Sequence, residues 1–129
     1  MRSETREASK NVLGSPLRAC CHNPQTGYFR DGYCRASEGD MGRHIVCAEM
    51  TDDFLAFTKS QGNDLSTPNP DYNFPGLRAG DRWCLCARRW QEAWKHNRAP
   101  KVVLEACHES TLEIIPLSVL KQFAIQAMN

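Results

Sequence analysis

The sequence predicts an α+β fold: a single domain with a small mixed sheet, three helices and a long ordered loop. Two apolar segments with strand-like alternation, "RHIVCAEM" and "RWCLCA", are each followed by a segment with helical spacing. Between them, three prolines and three glycines in residues 62–80 exclude a long helix or a central strand. Strands and helices thus occur in mixed order along 129 residues, a length that fits one domain.

The first strand and helix are predicted from "RHIVCAEMTDDFLAFTKSQG". His44 and Cys47 are three residues apart, so a regular strand would direct them to opposite faces. Thr51 is a favourable N-cap for the helix that follows. Lys59 suits the last helical turn, and Gly62 suits the position just after the helix end.

The second strand is predicted from "RWCLCA", which is apolar on both faces and carries Cys84 and Cys86 on the same face. "RRWQEAWKH" then changes to helical spacing, with Trp90 and Trp94 on one buried stripe. Two further strands are expected in "KVVLEAC" and "LEIIPL", and Ser118 is expected to cap a last helix. The chain would therefore end with two strands and a helix.

The beginning of the chain has little periodicity. Residues 1–10 are predicted to form a polar tail, and residues 11–129 the single domain. Turn-forming residues are frequent up to residue 40, and "YFRDGYC" could form a tight hairpin because Asp-Gly suits a type I′ turn.

Charge and hydropathy exclude two classes of partner. The formal net charge is +1, from 16 basic and 15 acidic side chains, so the basic field that nucleic-acid binding needs is lacking and no nucleic-acid partner is expected. The N-terminus "MRSETREASK" has no apolar segment of the kind found in secretory signals. No apolar run approaches the ~20 residues of a membrane span. We therefore expect a cytoplasmic protein that has no membrane partner.

The chain has seven cysteines, which a cytoplasmic location would keep mostly as thiols. Cys84 and Cys86 are therefore predicted to face the interior as reduced thiols. Core packing, redox chemistry and metal ligation all remain open for this pair, because buried free cysteine also acts as a small apolar residue. Their spacing is shorter than that of the usual zinc-binding pair, Cys-x₂₋₄-Cys.

A transition-metal site is one alternative use of the cysteines. "CCHNP" provides Cys20, Cys21 and His22, although adjacent side chains diverge in an extended chain. Cys34 and Cys47 could complete a cluster with this group or with the pair on the second strand. The metal ligands that this alternative implies are Cys84, Cys86, Cys47 and His108.

A polar cleft is the leading hypothesis for the functional site. Loops longer than ~12–15 residues in compact domains are usually functional or disordered, and the loop 62–80 exceeds that length. Asp40 could orient His44 as a general base, or it could form a turn beside a solvated imidazole. The polar residues of the loop could bind a ligand or merely shape the backbone. The residues expected at the cleft are Arg30, Asp31, Asp40, His44, Asn63, Asp64, Ser66 and Thr67.

Three classes of function remain open at this point. The leading one is a domain with a polar cleft for a small molecule or a metal, formed by the loop 62–80 and the turn 39–44. The second is a cysteine-dependent enzyme or redox protein that uses Cys84, Cys86 or Cys47. The third is a protein-interaction module without catalysis.

Several long motifs resemble those of a known family. "TGYFRDGYC", "DMGRHIVCAEMTDDFLAF", "GNDLSTPNPDYNFPGL", "GDRWCLCARRWQEAW" and "LEACHESTLEIIPL" occur in the order typical of domain-of-unknown-function family 2237, which is small and mostly bacterial. The resemblance covers about residues 11–124. It implies a stand-alone domain and assigns no catalytic residue. Threonine usually occupies the position of Cys107 in that family, so Cys107 is weak support for a thiol cluster, whereas His108 remains a candidate.

Overall fold

The computed structural model describes residues 9–125, which form an α+β fold, as predicted. In this part of the chain, no helix is long and apolar enough to span a membrane. The strands are β1 (His44–Glu49) and β2 (Arg82–Cys86), and the α-helices are α1 (Asp52–Ser60), α2 (Ala87–Lys95) and α3 (Leu117–Gln122). Short 3₁₀ helices lie at Pro70–Tyr72, Leu104–Ala106 and Glu109–Glu113.

The two strands pair antiparallel, and a β-bulge interrupts their register at the start of β1. Val46 lies opposite Leu85, so an unbroken register would place Ile45 opposite Cys86. Instead His44 occupies that position, because the bulge adds one residue to β1. The bulge therefore brings the imidazole and the thiol onto one face of the sheet.

The first helix and the core follow the predicted pattern. The Oγ1 atom of Thr51 accepts the backbone N–H of Phe54 at 3.0 Å, which confirms the predicted N-cap. Trp90 is fully buried, and its indole Nε1–H donates to the carbonyl oxygen of Pro100 at 3.0 Å. The ring of Phe123 meets the Trp90 ring edge-on, with centroids 5.3 Å apart. The prediction that Trp90 belongs to the core is confirmed.

The prediction of a strand in "KVVLEAC" is wrong. Val102 forms only single bridges, antiparallel to Ala48 and parallel to Ala124, so mixed pairing is limited to this residue. The chain then leaves the edge of β1 and forms a 3₁₀ turn at Leu104–Ala106. The carbonyl of Glu105 accepts the backbone N–H of Arg18 from the N-terminal segment at 3.0 Å. Two ladder-type bonds to β1 remain, from the N–H of Glu49 to the carbonyl of Lys101 and from the N–H of Val103 to the carbonyl of Cys47, both at 2.9 Å. The 3₁₀ turn then ends the ladder.

The end of the chain also differs from the prediction. "LEIIPL" is not a strand; its first residues belong to the 3₁₀ helix Glu109–Glu113. Helix α3 begins at Leu117, directly after Pro116, so Ser118 lies inside the helix rather than at its cap. Proline is well suited to this helix start because its ring fixes φ and it has no N–H to satisfy.

The loop 62–80 is ordered by its own backbone hydrogen bonds. The N–H of Leu77 donates to the carbonyl of Leu65 at 2.8 Å, and Asn69 and Phe74 exchange bonds of 2.8 and 3.0 Å. Gly76 has a φ of +80°, and a Cβ atom there would lie 2.5 Å from the carbonyl oxygen of Ser66. Only glycine fits this close approach, which joins the two ends of the loop.

The N-terminal segment, defined here as residues 9–42, wraps the sheet without regular secondary structure. Residues 1–8 of the predicted tail lie outside the described residues. Ser9 and Lys10 are joined to the domain, because their carbonyls accept the N–H groups of Leu17 at 3.0 Å and Glu109 at 2.9 Å. "YFRDGYC" is part of a compact loop rather than a hairpin.

Candidate functional site

A cavity of about 570 Å³ opens between the N-terminal segment, the loop 62–80 and the end of β2. Small-molecule sites usually have volumes of about 300–1,000 Å³, so this cavity could hold a metabolite-sized ligand. Of the residues predicted for the cleft, those that line the cavity are Arg30, His44, Asn63 and Asp64.

The other predicted cleft residues lie behind or beside this wall. Asp40 is buried, and its carboxylate contacts the Nδ1 atom of His44. Asp31 forms an ion pair with Arg35 at 3.0 Å and does not line the cavity. Ser66 and Thr67 also lie outside the lining; they donate hydrogen bonds to Asp64.

Asp40 holds His44 by two hydrogen bonds. Its Oδ1 atom lies 2.6 Å from Nδ1 of the imidazole, and its Oδ2 atom accepts the backbone N–H of His44 at 2.7 Å. The Asp40 side chain is 2% exposed, whereas that of His44 is 43% exposed. A carboxylate only accepts hydrogen bonds, so the proton of the neutral imidazole lies on Nδ1. Nε2 is therefore left as a base on the side of the ring that faces away from Asp40.

The turn before His44 is held in a strained conformation. Arg43 has a φ of 52°, in the left-handed region that non-glycine residues rarely adopt. Its carbonyl oxygen accepts two backbone N–H groups, from Ile45 at 2.9 Å and from Ala87 at 3.1 Å. Gly42 lies against the imidazole, since a Cβ atom there would be 2.6 Å from Cε1 of His44. Backbone strain of this kind often marks functional sites, and here it joins the imidazole to the beginning of α2.

Cys86 lies across from this imidazole. It is the residue opposite His44 in the ladder, and both side chains line the cavity. Directly opposed residues have Cβ atoms about 4.5–5.5 Å apart and share a face. Cys86 is half-buried and immediately precedes α2, whose dipole favours negative charge at that end. Cys86 is a free thiol, as predicted, but it is half-buried rather than part of the interior, because the strand ends there and the residue lines the cavity.

Two aromatic rings and a cation also line the cavity. The rings of Trp83 and Phe74 meet edge-on with centroids 5.2 Å apart. The guanidinium of Arg30 lies 5.0 Å from the centroid of the Trp83 ring. These side chains can pack against a flat apolar group and attract an anionic one.

Asp64 adds a carboxylate to the same cavity. The hydroxyl of Thr67 donates to its Oδ2 atom at 2.7 Å, and the backbone N–H of Ser66 donates to Oδ1 at 2.9 Å. These hydrogen bonds, that of Thr67 first, lower the pKa of the Asp64 carboxyl below its ordinary value. Asp64 therefore shapes the loop and also presents negative charge to the cavity.

Four of the seven cysteines form disulfides, which corrects the prediction that they are mostly thiols. Cys20 bonds to Cys47 and Cys34 bonds to Cys84. Cys84 is buried as predicted, but it is oxidised rather than a free thiol. The partners are 27 and 50 residues apart, so only the tertiary fold could reveal their proximity. Cysteines 21, 86 and 107 remain thiols.

The surroundings of Cys107 make its thiol unreactive. It is fully buried, and its Sγ atom lies 3.8 Å from the carbonyl oxygen of Cys47. Burial raises the pKa of the Cys107 thiol to about 12, because the apolar interior disfavours a thiolate. Cys86, in contrast, is half-buried and lines the cavity.

The predicted metal ligands do not converge as one set. Cys84 and Cys47 are engaged in disulfides, whereas Cys86 lines the cavity. His108 caps a 3₁₀ helix, since its Nδ1 atom accepts the N–H of Ser110 at 3.0 Å. Among the described residues, the sulfur atoms that do converge belong to Cys20, Cys34 and Cys47, all within 4.8 Å of one another.

Sequence reasoning missed the pairing of His44 with Cys86. The two residues are 42 positions apart, and the bulge that aligns them has no signal in "RHIVC". The one available signal was the position of Cys86 directly before an amphipathic helix. That position indicates a reactive thiol only when the residue opposite it is also known.

These features define a single-domain α+β protein with a thiol and a carboxylate-held imidazole in one cavity. The chain belongs to the family described as "Uncharacterized protein conserved in bacteria (DUF2237)", whose model matches residues 10–124. Comparison with curated proteins gave no match.

Proposed function

We propose that this protein is a cysteine-dependent enzyme that acts on a small molecule in the cavity. Cys86 is the nucleophile, His44 is the general base, and Asp40 positions His44. The observation that carries the proposal is the opposition of His44 and Cys86 at the bulge, with Asp40 2.6 Å behind the imidazole. A nucleophilic thiol needs an adjacent base, and that base is most effective when a third group orients it.

The chemistry that this arrangement supports is acyl transfer. The Nε2 atom of His44 takes the proton of the Cys86 thiol as Sγ attacks a carbonyl carbon. The leaving group departs with that proton, and a thioester to Cys86 remains. Water then attacks the thioester while His44 takes a proton from it, which releases the acid and restores the thiol. The amino end of α2 stabilises negative charge on the sulfur at the start of the cycle.

The walls of the cavity indicate the class of substrate. Trp83 and Phe74 favour a flat apolar group, and Arg30 favours an anionic one. Asn63 and Asp64 offer an amide and a carboxylate to polar groups of the same molecule. We therefore expect a polar, metabolite-sized substrate that carries an activated acyl group, rather than a polymer.

A cleft that only binds a ligand is the second candidate. It would use the same side chains of the loop 62–80 and Arg30. It would not need Asp40 to hold His44 in one orientation opposite a thiol, and that feature favours the enzyme. An interaction module without chemistry would need neither feature.

Alkylation with iodoacetamide tests the proposal without knowledge of the substrate. Peptide mass spectrometry would follow labelling of Cys86 and of Cys21, a half-buried thiol outside the cavity lining, in the native protein. We expect Cys86 to react faster than Cys21. His44→Gln should slow Cys86 by about 10²-fold or more, the usual size of general-base catalysis, and leave Cys21 unchanged. Equal labelling of the two thiols, or no effect of His44→Gln, would contradict the enzyme proposal.

A p-nitrophenyl ester of a short acid tests the acyl step itself. Wild-type protein should release nitrophenolate and carry an acyl adduct on Cys86, and Cys86→Ser should lose both. Cys107→Ser is the matched control, because Cys107 is buried away from the cavity lining and should leave the acylation rate unchanged.

A further inference from the structure

We propose that Cys20, Cys34, Cys47 and Cys84 are also a metal site, which binds one zinc ion when their two disulfides are reduced. This site adjoins the cavity, because Cys84 also lines it, but it does not depend on the proposed catalysis. It differs from the set predicted from the sequence, because Cys86 and His108 take no part. The four cysteines are buried together. Their two disulfides are one way to cross-link them, and a bound zinc ion is the other.

Three of the four sulfur atoms lie close enough that small side-chain rotations would place them on one ion. The Sγ atoms of Cys20, Cys34 and Cys47 all lie within 4.8 Å of one another, and Cys84 is bonded to Cys34. Zinc–sulfur bonds are about 2.3 Å long, so two sulfur atoms on one zinc ion can be at most about 4.6 Å apart. Breaking the two S–S bonds would free all four sulfur atoms. The Cys84 side chain, which lies outside the group of three, would then have to turn toward the ion to complete the set.

The backbone holds these cysteines in two rigid pairs. Cys47 and Cys84 lie opposite each other in the β1–β2 ladder. Cys20 and Cys34 approach from the N-terminal segment, where the carbonyl of Gly32 accepts the backbone N–H of Cys20 at 2.7 Å. The Cα atoms of the bonded pairs are 5.6 and 5.3 Å apart. Ligands from a sheet and from an irregular segment form the kind of cross-link that structural zinc sites provide.

Burial suits a closed structural site. Cys34 and Cys47 are fully buried, Cys84 is 1% exposed and Cys20 is 7% exposed. Such a site excludes water from the ion, in contrast to a catalytic zinc site, which keeps an open position. The occupant that these four soft ligands select is therefore a structural, thiophilic ion such as Zn²⁺.

The exchange between the two cross-links is a balanced redox reaction. Each disulfide accepts two electrons and two protons from a dithiol reductant, which itself becomes a disulfide. The two reductions give four thiols in all. Zinc binding then displaces their four protons as the four thiolates coordinate the ion.

The cross-link controls the wall of the cavity. Gly27, Tyr28 and Arg30, which line it, lie in the N-terminal segment between Cys20 and Cys34. Either cross-link holds this segment against the sheet. A reduced chain without metal would have neither, so the cavity wall would loosen.

The test uses the full chain with Cys21, Cys86 and Cys107 all changed to Ser, which leaves only the four proposed ligands. This variant is reduced with a dithiol without oxygen, supplied with Zn²⁺ and desalted, and its metal content and circular dichroism are measured. Cobalt added in place of zinc reports tetrahedral thiolate ligation through its visible absorption. We expect one ion per chain, a thiolate–cobalt spectrum and the circular dichroism of the oxidised protein. The oxidised variant is the matched control and should bind no zinc.

The outcomes separate the proposal from simple disulfide stapling. A reduced variant that is folded yet retains less than one ion per chain would overturn the proposal. So would one that is unfolded and does not recover its structure on addition of zinc. Further change of Cys34 to Ser should weaken the thiolate-to-cobalt charge-transfer absorption, and an unchanged spectrum would also overturn the assignment of ligands.

Discussion

The Oδ1 atom of Asp40 lies 2.6 Å from Nδ1 of His44, and its Oδ2 atom accepts the backbone N–H of the same residue at 2.7 Å. One buried carboxylate thus sets both the ring and the backbone of His44. Since His44 lies opposite Cys86 in the ladder, the contact with Asp40 leaves Nε2 as the ring nitrogen that a neighbouring thiol could use.

Asp40→Asn therefore tests the role of the Asp40 carboxylate in holding the His44 ring. The amide oxygen can keep the backbone N–H, but the NH₂ group then faces Nδ1 and favours the tautomer with its proton on Nε2, and stability should fall by about 1–3 kcal/mol. Alkylation of Cys86 should slow by about 10²-fold or more because Nε2 is then no longer a base. The matched control is Asp52→Asn, a change at an exposed position at the start of α1. It should change the free energy of unfolding by no more than about 1 kcal/mol and should leave the alkylation rate of Cys86 nearly unchanged. An unchanged Cys86 rate in Asp40→Asn would contradict the role of Asp40.

Gly42→Ala should displace the imidazole without changing any polar group. The new Cβ atom would lie 2.6 Å from Cε1 of His44. The ring can move away from it only by breaking its hydrogen bond to Asp40. We expect slower Cys86 alkylation and a shifted His44 resonance in NMR spectra. Gly39→Ala in the same turn is the control, because its Cβ atom would meet only the hydroxyl end of Tyr28, at 2.9 Å. A larger effect of Gly39→Ala than of Gly42→Ala would show that the turn, not the ring, is what matters.

Trp90→Ala should reduce the free energy of unfolding by about 3–5 kcal/mol, as large-to-small changes in a core do. The fully buried indole packs edge-on against Phe123 and donates to the carbonyl of Pro100, which would lose its partner. Denaturant unfolding monitored by circular dichroism measures the loss. Trp94→Ala, at a half-buried position on the same helix, should cost less. Equal losses would mean that Trp90 has no special place in the core.

Acid should weaken the loop 62–80 through Asp64. The folded-state pKa of this carboxyl lies below its ordinary value of 3.8, chiefly because of the Thr67 hydroxyl. The stabilisation is therefore fully present above about pH 3.8 and is lost as the pH falls through the folded-state pKa. Thr67→Val should raise the pKa of Asp64 towards 3.8, which an NMR titration of the carboxyl carbon would detect. No change in that titration would contradict the assigned cause.

Local patterns sufficed for the elements whose signals lie within a few residues. The strand around Val46, the cap at Thr51 and the buried stripe of α2 follow from side-chain periodicity and one hydroxyl. The same reasoning failed for residues 101–116, where apolar runs suggested strands. Apolar runs fit a strand and a buried 3₁₀ segment equally well, and here a 3₁₀ turn at Leu104–Ala106 ends the pairing with β1 after Val103.

The candidate site divides in the same way. From the sequence, the turn around His44, the loop 62–80 and the beginning of β2 could be named as parts of one cleft, because polar residues cluster there between apolar elements. The structure lines one cavity with residues from these segments, while their role in binding stays a prediction. The local order of residues by itself thus determined the α+β class, the first strand and helix, and the segments from which a site could be built.

Only the tertiary structure decided which side chains meet. The opposition of His44 and Cys86 depends on one extra residue in β1, and a register shift of one residue exchanges the faces of a strand. The proximity of Cys34 to Cys84 spans 50 residues, a separation at which contacts depend on the packing of the whole chain. Chemistry between distant residues is set by this packing, because sequence patterns encode the direction of each side chain but not the partner that lies in front of it.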